Sequence, residues 1–460
     1  MNPFYNPIFL SKMLKSYIFD IDRLRKTDEK ELKRYRDKRF KWMIKQAYNT
    51  PIYHDKYRAE KVDLDDIKGL DDIQKLPIIS KDDLRKYYPK GIKPQYSDKK
   101  KLVKISTSGT TGKSLTIYVD IHDIIIGLFG YIRMLREYGI SWRKNKLTII
   151  GDFAPHTVET GYITKGLFTY LQTNHFFKNM QWLNTNNDPL HIIKEIERFK
   201  PDFIGGYVGM LGHLAVLKEK GYGKNIKPQY IAATGSVLDP DLKKFIEENF
   251  DTHVFETYGA AEAGPIAFQC KKGKYHIMSD FIHIEFIKNK KHILHEEPGH
   301  IVITKLYGNG TPIIRYSGVN DIAAPLHGRC SCGLSGNLIK KIYGRDDLSL
   351  HLPDGKTMLS SSISQIFSKI LYQLKTNKIK NIKIFQHNLT KIEIQVEIDK
   401  KLRNIGPNVN EILSTIKHGF QKKVGSKVEI LVREVKQVDQ QGPRIISMVD
   451  KNRFKTIQYI

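Results

Sequence analysis

The feature of this sequence that most limits its fold is an alternation of apolar strand patterns and helical patterns between residues 149 and 249. The strand patterns include residues 149–150, 203–204 and 230–233, and the helical patterns cover residues 191–199, 211–219 and 240–249. Asp239 precedes Pro240 in the last of these, a typical helix cap followed by proline at the first helical position. Strands and helices that alternate in this way predict an α/β protein whose sheet is largely parallel and covered by helices.

A different pattern begins near residue 381 and indicates a second, smaller unit. Ile392, Ile394, Val396 and Ile398 alternate with polar residues, as in a strand that is buried on one face. Apolar residues then follow helical spacing from 409 to 420 and return to strand spacing from 428 to 432. The order of strand, strand, helix and strand predicts a small α+β domain after the large one.

Length and composition agree with an enzyme that has more than one core. The chain has 460 residues, of which 40% are hydrophobic. No run approaches the roughly 18 apolar residues that span a bilayer, and the first residues carry no cleavage-site pattern. Three cysteines in so long a chain exclude a disulfide framework. We therefore expect a cytoplasmic protein without a transmembrane segment.

Net charge is the unusual bulk property of the chain. Lys and Arg number 76 against 49 Asp and Glu, which leaves a net charge of +27. A lysine-rich proteome explains this excess without any partner, and attraction to an acidic carrier protein is the alternative. No nucleic-acid recognition motif is present, so a specific nucleic-acid partner is not expected.

A Gly/Ser/Thr-rich segment from Ser106 to Ser114 is the strongest indication of function. It reads Ser-Thr-Ser-Gly-Thr-Thr-Gly-Lys-Ser, and its glycines, hydroxyl groups and Lys113 suit the phosphates of ATP. A Walker A loop would need glycine where Thr107 stands and a helix afterwards, whereas strand spacing flanks this segment on both sides. The segment therefore predicts the tip of a β-hairpin, either an ordinary turn or a phosphate-binding loop.

Three further segments follow the loop in the order that is typical of the adenylate-forming superfamily, the acyl-coenzyme A synthetases and their relatives. Residues 258–262 read Tyr-Gly-Ala-Ala-Glu and resemble the family's Tyr-Gly-x-Thr-Glu box, with Ala261 in place of threonine. Residues 314–322 resemble the segment that ends in a ribose-binding aspartate, and residues 344–347 resemble the hinge motif Gly-Arg-x-Asp. Residues 76–85 and the cysteine-containing segment are similar to phenylacetate-coenzyme A ligases and to their CapK-like relatives of capsule biosynthesis. The resemblance covers about residues 30 to 455.

This resemblance implies a domain division and a set of site residues. An N-terminal AMP-binding domain with mixed β-sheets and covering helices would comprise residues 1–343, and an α+β lid would comprise residues 344–460, with Asp347 as the hinge. Glu262 would hold Mg²⁺, Tyr258 would pack on adenine, Asp321 would bind the ribose hydroxyls, and Arg345 would reach the nucleotide. The implied nucleotide-binding residues are Ser106, Thr107, Ser108, Gly109, Thr110, Thr111, Gly112, Gly235, Ser236, Thr257, Tyr258, Gly259, Asp321 and Arg345. The implied catalytic residues are Lys113, Glu262 and Arg444.

One residue that the family pattern leads us to expect is missing. Related enzymes place a lysine in a Gly-Lys motif near the C-terminus, where it bridges the carboxylate and the α-phosphate. The matching stretch here has Pro443 after Gly442, and proline carries no charge and donates no hydrogen bond. Arg444 and Lys436 are the candidate replacements, although a guanidinium fork is not equivalent to an ammonium point charge.

The three cysteines and one histidine form a second candidate set. Cys270, His276, Cys330 and Cys332 match the ligand inventory of a closed, structural zinc site. Both segments are Gly/Lys-rich, so a buried thiol there has no evident core to join. Reduced cysteines that pack as small apolar groups are the alternative. Some ligases of the branch named above have a similar arrangement, which favours zinc.

The function implied by the resemblance is ATP-dependent activation of a small carboxylic acid through an acyl-adenylate. The acyl group would pass to a thiol, of coenzyme A or a carrier protein, or to an amine, and the branch suggests an aromatic acid. A nucleotide- or acyl-adenylate-binding protein with adenylation impaired by Pro443 is one alternative. An electrostatic binding module is another. The sequence leaves the oligomeric state open, and a homodimer is compatible with it.

Overall fold

The computed structural model describes residues 2–96, 102–107, 114–154, 157–168, 177–289, 291–293, 295–439, 442–449 and 458–459. Its α-helices are α1 Pro7–Phe19, α2 Arg23–Lys26, α3 Glu29–Tyr48, α4 Pro51–Ala59, α5 Lys81–Tyr87, α6 Ile121–Glu137, α7 Pro189–Phe199, α8 Val208–Glu219, α9 Pro240–Phe250, α10 Ser360–Tyr372 and α11 Val409–Val424. A π-helix spans Thr160–Phe168, and short 3₁₀ helices span Pro3–Tyr5, Leu64–Asp66, Leu70–Lys75 and Asp346–Leu348.

The strands run through most of the chain. They are β1 Val103–Ser106, β2 Thr116–Val119, β3 Leu147–Gly151, β4 Met180–Asn184, β5 Phe203–Tyr207, β6 Tyr230–Thr234, β7 His253–Ala260, β8 Gly264–Gln269, β9 Tyr275–Ile277, β10 Ile282–Lys288, β11 Lys291–His292, β12 Gly299–Lys305, β13 Asp321–Leu326, β14 Leu338–Arg345, β15 Leu350–His351, β16 Lys356–Met358, β17 Ile379–Asn388, β18 Lys391–Ile398, β19 Glu429–Val435, β20 Ile445–Ser447 and β21 Gln458–Tyr459.

A large mixed sheet lies at the centre of the fold. Its strand order is β11-β10-β12-β13-β14-β9-β8-β7-β6-β5-β3-β4. The strands from β4 to β7 in this order pair in parallel, and those from β7 to β11 pair antiparallel. Helices α7, α8 and α9 pack against the parallel part in one apolar core. The predicted α/β fold with covering helices is therefore confirmed.

Several predicted elements lie where the sequence patterns place them. Asp239 caps α9, because its carboxylate accepts hydrogen bonds from the backbone N–H groups of Asp241 and Leu242 at 3.1 Å. β1 and β2 pair antiparallel with Ser106 opposite Thr116, which confirms the two arms of the predicted hairpin. The tip of that hairpin, residues 108–113, lies outside the described residues.

The C-terminal part has its own four-stranded sheet and its own core. The sheet order is β19-β18-β17-β20, and α10 and α11 pack on it. Ile392, Ile394 and Val396 are fully buried there, as their alternation predicts. Helix α10 also contacts α8 and α9, so it packs against the large sheet's covering helices as well. The division of the chain at residue 344 stays a prediction.

Helix α6 is anchored to the sheet at both ends by buried charges. Asp123 closes the helix's capping box with Asp120 and lies 2.8 Å from Lys305 of β12. Arg133 donates two hydrogen bonds of 2.8 and 2.6 Å to Asp280. Buried ions require such partners, because an unpaired charge inside a protein costs several kcal/mol. These two pairs therefore fix both the position and the rotation of α6.

The described part of the chain contains no helix that is both long enough and apolar enough to cross a bilayer.

Two glycines of α6 differ in the space beside them, which generates a test of how tightly the helix packs. A Cβ atom on Gly130 would lie 2.7 Å from Cγ of Pro265 and 2.8 Å from Sδ of Met278, whereas one on Gly127 would have no atom within 3.7 Å. We expect Gly130→Ala to lower the free energy of unfolding by about 1–3 kcal/mol through overpacking. We expect Gly127→Ala to raise it by up to about 1 kcal/mol through helix propensity. Urea unfolding of the two variants measures both, and equal effects would contradict this packing.

Candidate functional site

The predicted site residues meet in a cleft at the carboxyl ends of the parallel strands. In sheets of this kind ligands bind outside the carboxyl ends of the strands. The cleft has a volume of about 2670 Å³. The predicted residues that line it are Ser106, Thr107, Gly235, Ser236, Thr257, Tyr258, Gly259, Glu262, Asp321, Arg345 and Arg444. Ser108, Gly109, Thr110, Thr111, Gly112 and Lys113 lie outside the described residues, so their placement is not described.

Tyr258 and Asp321 form the first pair of the cleft. Tyr258 stands near the end of β7 and Asp321 begins β13, and the tyrosine hydroxyl donates a 2.6 Å hydrogen bond to the carboxylate. Burial raises the pKa of Asp321 to about 6, while the hydrogen bond from Tyr258 and the charge of Arg345 oppose that shift. A carboxylate held in this way still offers acceptor positions to a ligand hydroxyl.

Glu262 and Tyr316 form the second pair. Glu262 lies in the turn between β7 and β8, is 4% exposed, and accepts a 2.9 Å hydrogen bond from the Tyr316 hydroxyl. One oxygen of this buried carboxylate is held by Tyr316, and the carboxylate makes no ion pair among the described residues. Such a carboxylate is suited to bind a cation. Sequence reasoning quoted Tyr316 only as part of a motif and did not assign it this contact.

Arg345 and Asp347, the predicted nucleotide and hinge residues, form an ion pair. The guanidinium donates hydrogen bonds of 2.8 and 2.6 Å to the two oxygens of the Asp347 carboxylate. The side chain of Asn320 donates a further hydrogen bond of 3.1 Å to Asp347. Asp347 therefore orients the arginine at the edge of the cleft.

Gly235 shapes the wall beside the nucleotide residues. It has a φ of +84°, and a Cβ atom there would overlap the ring of Tyr207. Only glycine meets both conditions without strain. Tyr207 in turn donates its hydroxyl hydrogen bond to Glu159, so the ring is held against the Gly235 loop.

The C-terminal stretch reaches the same cleft. Pro443 and Arg444 both line it, and the carbonyl group of Arg444 accepts a 2.8 Å hydrogen bond from the backbone of Ile384. Lys436 is exposed and is not among the lining residues. Of the two predicted replacements for the missing lysine, the structure brings Arg444 to the site and leaves Lys436 outside it.

Sequence reasoning missed one cation of the cleft, Lys81 at the start of α5. It lines the cavity near Glu262 and Arg345 and makes no ion pair with the described residues. Burial lowers the pKa of its ammonium group, and the charge of Glu262 opposes that shift. Its place is fixed by Ile79, which exchanges backbone hydrogen bonds of 2.9 and 3.0 Å with Arg315 and Ser317 on either side of Tyr316. The sequence could have indicated Lys81, because this lysine lies in the segment of residues 76–85 that is similar to the phenylacetate-coenzyme A ligases.

The cysteines and histidine of the second candidate set form one cluster. The ligand atoms of Cys270, His276, Cys330 and Cys332 all lie within 4.8 Å of one another. The sulfur atoms of Cys270 and Cys330 are 3.7 Å apart, and Cys332 Sγ is 3.2 Å from His276 Nε2. A tetrahedral zinc with bonds of about 2.3 Å to sulfur separates two sulfurs by roughly 3.8 Å, so the cluster has the dimensions of such a site. It joins the β8–β9 turn to the segment between β13 and β14.

Comparisons with known proteins agree with the motifs. No protein-family model matches the chain. The chain is 25% identical over 435 residues to phenylacetate-coenzyme A ligase of Aromatoleum evansii, with 90% of this chain and 93% of that protein covered. It is 23% identical over 309 residues to protein CapK of Staphylococcus aureus, which covers 66% of this chain and 65% of CapK.

Solved structures show the same fold. The crystal structure of 2-hydroxyisobutyryl-CoA ligase in the postadenylation state, in complex with R3-HIB-AMP, matches with a TM-score of 0.70 and 17% identity over 94% of this chain and 92% of that chain. The same enzyme in the thioesterification state, with 2-HIB-AMP and CoA, matches with a TM-score of 0.62 and 17% identity over 92% and 91%. Together with the sequence comparisons, these matches confirm that the chain resembles the phenylacetate-coenzyme A ligases and CapK, and that it has the fold of 2-hydroxyisobutyryl-CoA ligase.

Proposed function

We propose that the protein activates a carboxylic acid with ATP and transfers the acyl group to coenzyme A. The observation that carries this proposal is the convergence of Tyr258, Glu262, Asp321 and Arg345 in one cleft, from three separate segments of the chain. The named functions of the relatives, coenzyme A ligation by the phenylacetate enzymes above all, support the choice of reaction.

The proposed reaction has two steps. A carboxylate oxygen of the acid attacks the α-phosphorus of ATP, the bond to pyrophosphate breaks, and an acyl-adenylate remains. The thiolate of coenzyme A then attacks the acyl carbon, and AMP leaves with the electron pair of the carbon–oxygen bond. Both the acid and the triphosphate are anionic, so the first step needs cations and donors placed where negative charge develops.

The described residues fit both the nucleoside and a divalent cation. Asp321 offers acceptors for ribose hydroxyls, and Tyr258 presents its ring in the same part of the cleft. Glu262 would hold Mg²⁺, since an oxygen ligand suits that ion. A bound Mg²⁺ would neutralise charge on the phosphates, and Tyr316 would keep the carboxylate of Glu262 in place.

We assign to Lys81 the role that the family's C-terminal lysine has elsewhere. Pro443 cannot supply a cation, and Arg444 is exposed, whereas Lys81 is partly buried, unpaired among the described residues, and close to Glu262. An ammonium group at this place would bridge the carboxylate of the acid and the α-phosphate.

The first test is pyrophosphate exchange with ATP, Mg²⁺ and a panel of acids. We expect exchange by the native chain and a loss of about a hundredfold or more in Glu262→Ala, because the cation ligand is lost. Glu248→Ala, at an exposed position on α9, is the control and should leave the rate unchanged. Silence of the native chain across the panel, with exchange gained in Pro443→Lys, would instead favour a protein that binds an activated acyl group without making it.

The second prediction separates the two half-reactions at Lys81. We expect Lys81→Met to slow adenylation by about a hundred- to a thousandfold, because a cation is removed where charge develops. Transfer from a chemically prepared acyl-adenylate to coenzyme A should stay near the native rate, since that step does not need the bridge. Lys86→Met, an exposed lysine of the same helix, is the matched control. Equal losses in both half-reactions would show that Lys81 has only a structural role.

We also propose that the Cys270, His276, Cys330 and Cys332 cluster holds a structural zinc ion. Four protein ligands leave no open coordination position, so this site would tie two segments together and would not act on the substrate. The Nε2 atom of His276 faces the sulfur of Cys332, so it is the nitrogen that would bind the zinc. The buried Nδ1 atom has no hydrogen-bond partner among the described residues.

Elemental analysis of the purified protein, prepared without chelators, tests this site. We expect about one zinc per chain, and we expect His276→Ala to lower both the zinc content and the melting temperature. His253→Ala, an exposed histidine of β7, is the control. Less than about a tenth of an equivalent in the native protein would exclude a structural zinc.

A further inference from the structure

We infer that helix α1 binds the surface of an anionic lipid bilayer and holds the protein there. The helix presents an apolar stripe, which we define as Leu10, Leu14 and Ile18, and exposed lysines lie beside it. This binding is separate from the proposed function. It is adsorption to the membrane surface, because α1 has 13 residues and a helix needs about 20 to span a bilayer.

One face of α1 is used for packing against the rest of the protein. Met13 is buried, and Phe9 and Tyr17 pack against the large core. The ring of Tyr17 lies edge-on to Phe129 of α6 at a centroid distance of 5.8 Å, and Trp142 donates a 3.3 Å hydrogen bond to the Tyr17 hydroxyl. These contacts fix the rotation of α1 and therefore determine which of its side chains stay uncovered.

The apolar stripe lies on a face of α1 that the core leaves uncovered. Leu10, Leu14 and Ile18 are four residues apart, so they follow one another along the helix. They are 51%, 58% and 49% exposed. Leu10 and Leu14 also border the cleft, but Ile18 does not, so the stripe continues along α1 beyond it. Exposed apolar side chains in a row, unlike scattered ones, indicate a surface that binds another apolar surface.

The charged side chains beside the stripe are basic. Residues 2–19 contain no Asp or Glu, and Lys12 and Lys15 of α1 are exposed and make no ion pair with the described residues. Arg143 and Lys144 directly follow Trp142, which contacts α1, and both are exposed and without an ion pair in the same part of the structure. Four cations in this region are therefore available to an anionic partner.

The first acidic residues of the chain do not cancel this charge. Asp20 forms an ion pair with Arg23, and Asp22 lies 2.9 Å from a guanidinium nitrogen of Arg136. Each carboxylate is thus already neutralised by an arginine. The region around α1 keeps a surplus of positive charge, which complements anionic headgroups.

An anionic bilayer fits these observations better than a second copy of the protein. Two copies that met through the stripe would bring their lysines together, and each chain has a net charge of +27. A bilayer needs no matching groove, because an amphipathic helix inserts its apolar side chains between lipids while its lysines reach the headgroups. Tyr5, which precedes the helix, is 81% exposed, and tyrosine favours the membrane interface.

Sedimentation of the full chain with vesicles tests the inference. We expect binding to vesicles of phosphatidylcholine with about 40% phosphatidylglycerol to be about tenfold or more tighter than to phosphatidylcholine alone. High salt should weaken it, because counterions screen the lysines. No binding to the anionic vesicles, or equal binding to both kinds, would overturn the inference.

A stripe variant separates insertion of α1 from general adsorption of a basic protein. We expect Leu14→Gln with Ile18→Gln to weaken binding to anionic vesicles by about tenfold or more, because two apolar side chains no longer leave water. Leu431→Gln, at a 41% exposed leucine of β19, is the matched control and should leave binding unchanged. Thermal melting curves establish that the variants are folded. Unchanged binding by the folded stripe variant would overturn the inference in favour of adsorption through overall charge.

A charge variant tests the lysines beside the stripe. We expect Lys12→Gln with Lys15→Gln to reduce the preference for anionic vesicles by about five- to tenfold. Lys417→Gln with Lys422→Gln, two exposed lysines of α11, removes the same charge elsewhere and should leave the preference unchanged. Equal losses in the two double variants would contradict a local role of α1.

Two further measurements identify another occupant of the stripe. Analytical ultracentrifugation without lipid gives the oligomeric state, and calorimetry measures binding of an acidic acyl carrier protein. Self-association or carrier binding that Leu14→Gln with Ile18→Gln abolishes, in a protein that does not bind vesicles, would assign the stripe to that partner and overturn the inference.

Discussion

Two buried ion pairs, Asp123 with Lys305 and Arg133 with Asp280, hold α6 against the large sheet, and the cleft takes its shape from that helix. The pairs lie about 15 Å apart along the helix axis, at about 1.5 Å per residue. Removing one partner would leave a buried charge uncompensated, at a cost of about 3–5 kcal/mol. Because both ends are fixed, the middle of α6 can line the cleft without collapsing into it. A hydrophobic helix held only by apolar contacts would lower its free energy by filling that space.

The sequence patterns predicted most of the fold, because period-two and helical spacing report which face of a segment is buried. The parallel strands, helices α7 to α9 and the C-terminal sheet all follow such patterns. The motifs also predicted Tyr258, Glu262, Asp321 and Arg345 as one site. Only the structure shows that Tyr258 bonds to Asp321, that Tyr316 bonds to Glu262, and that Arg345 bonds to Asp347. The placement of Lys81 beside Glu262 depends on backbone pairing between Ile79 and a distant segment, and no local pattern encodes such a pairing. The same limit applies to the apolar lining of the cleft, which comes from α1, α6 and the parallel strands.

The cation that would bridge the acid and ATP lies on the C-terminal stretch in the family pattern, whereas the proposed replacement, Lys81, lies on α5. A lysine on the C-terminal stretch reaches the phosphates only when the lid is in place, so adenylation then depends on the lid position. Lys81 lies on α5, and its backbone neighbours are bonded to the segment around Tyr316. A bridge at that position would be available in every orientation of the predicted lid. The proposed adenylation step would then be uncoupled from motion of the predicted lid, and only the second half-reaction would depend on it.

In the proposed reaction, apolar residues of the cleft would select the acid, and polar residues would promote the chemical step. Contacts between the apolar part of a bound acid and α6 would be the same before and during the attack on ATP, so they would strengthen binding of the acid without stabilising the transition state more than the ground state. In the proposed reaction, Glu262 through a bound cation and Lys81 directly would act where charge develops, so their effect would fall on the chemical step. Apolar residues along α6 can therefore change without disturbing the polar network. A chain of this fold could accept acids of different size through substitutions in α6, because that helix supplies none of the polar residues proposed to bind the nucleotide.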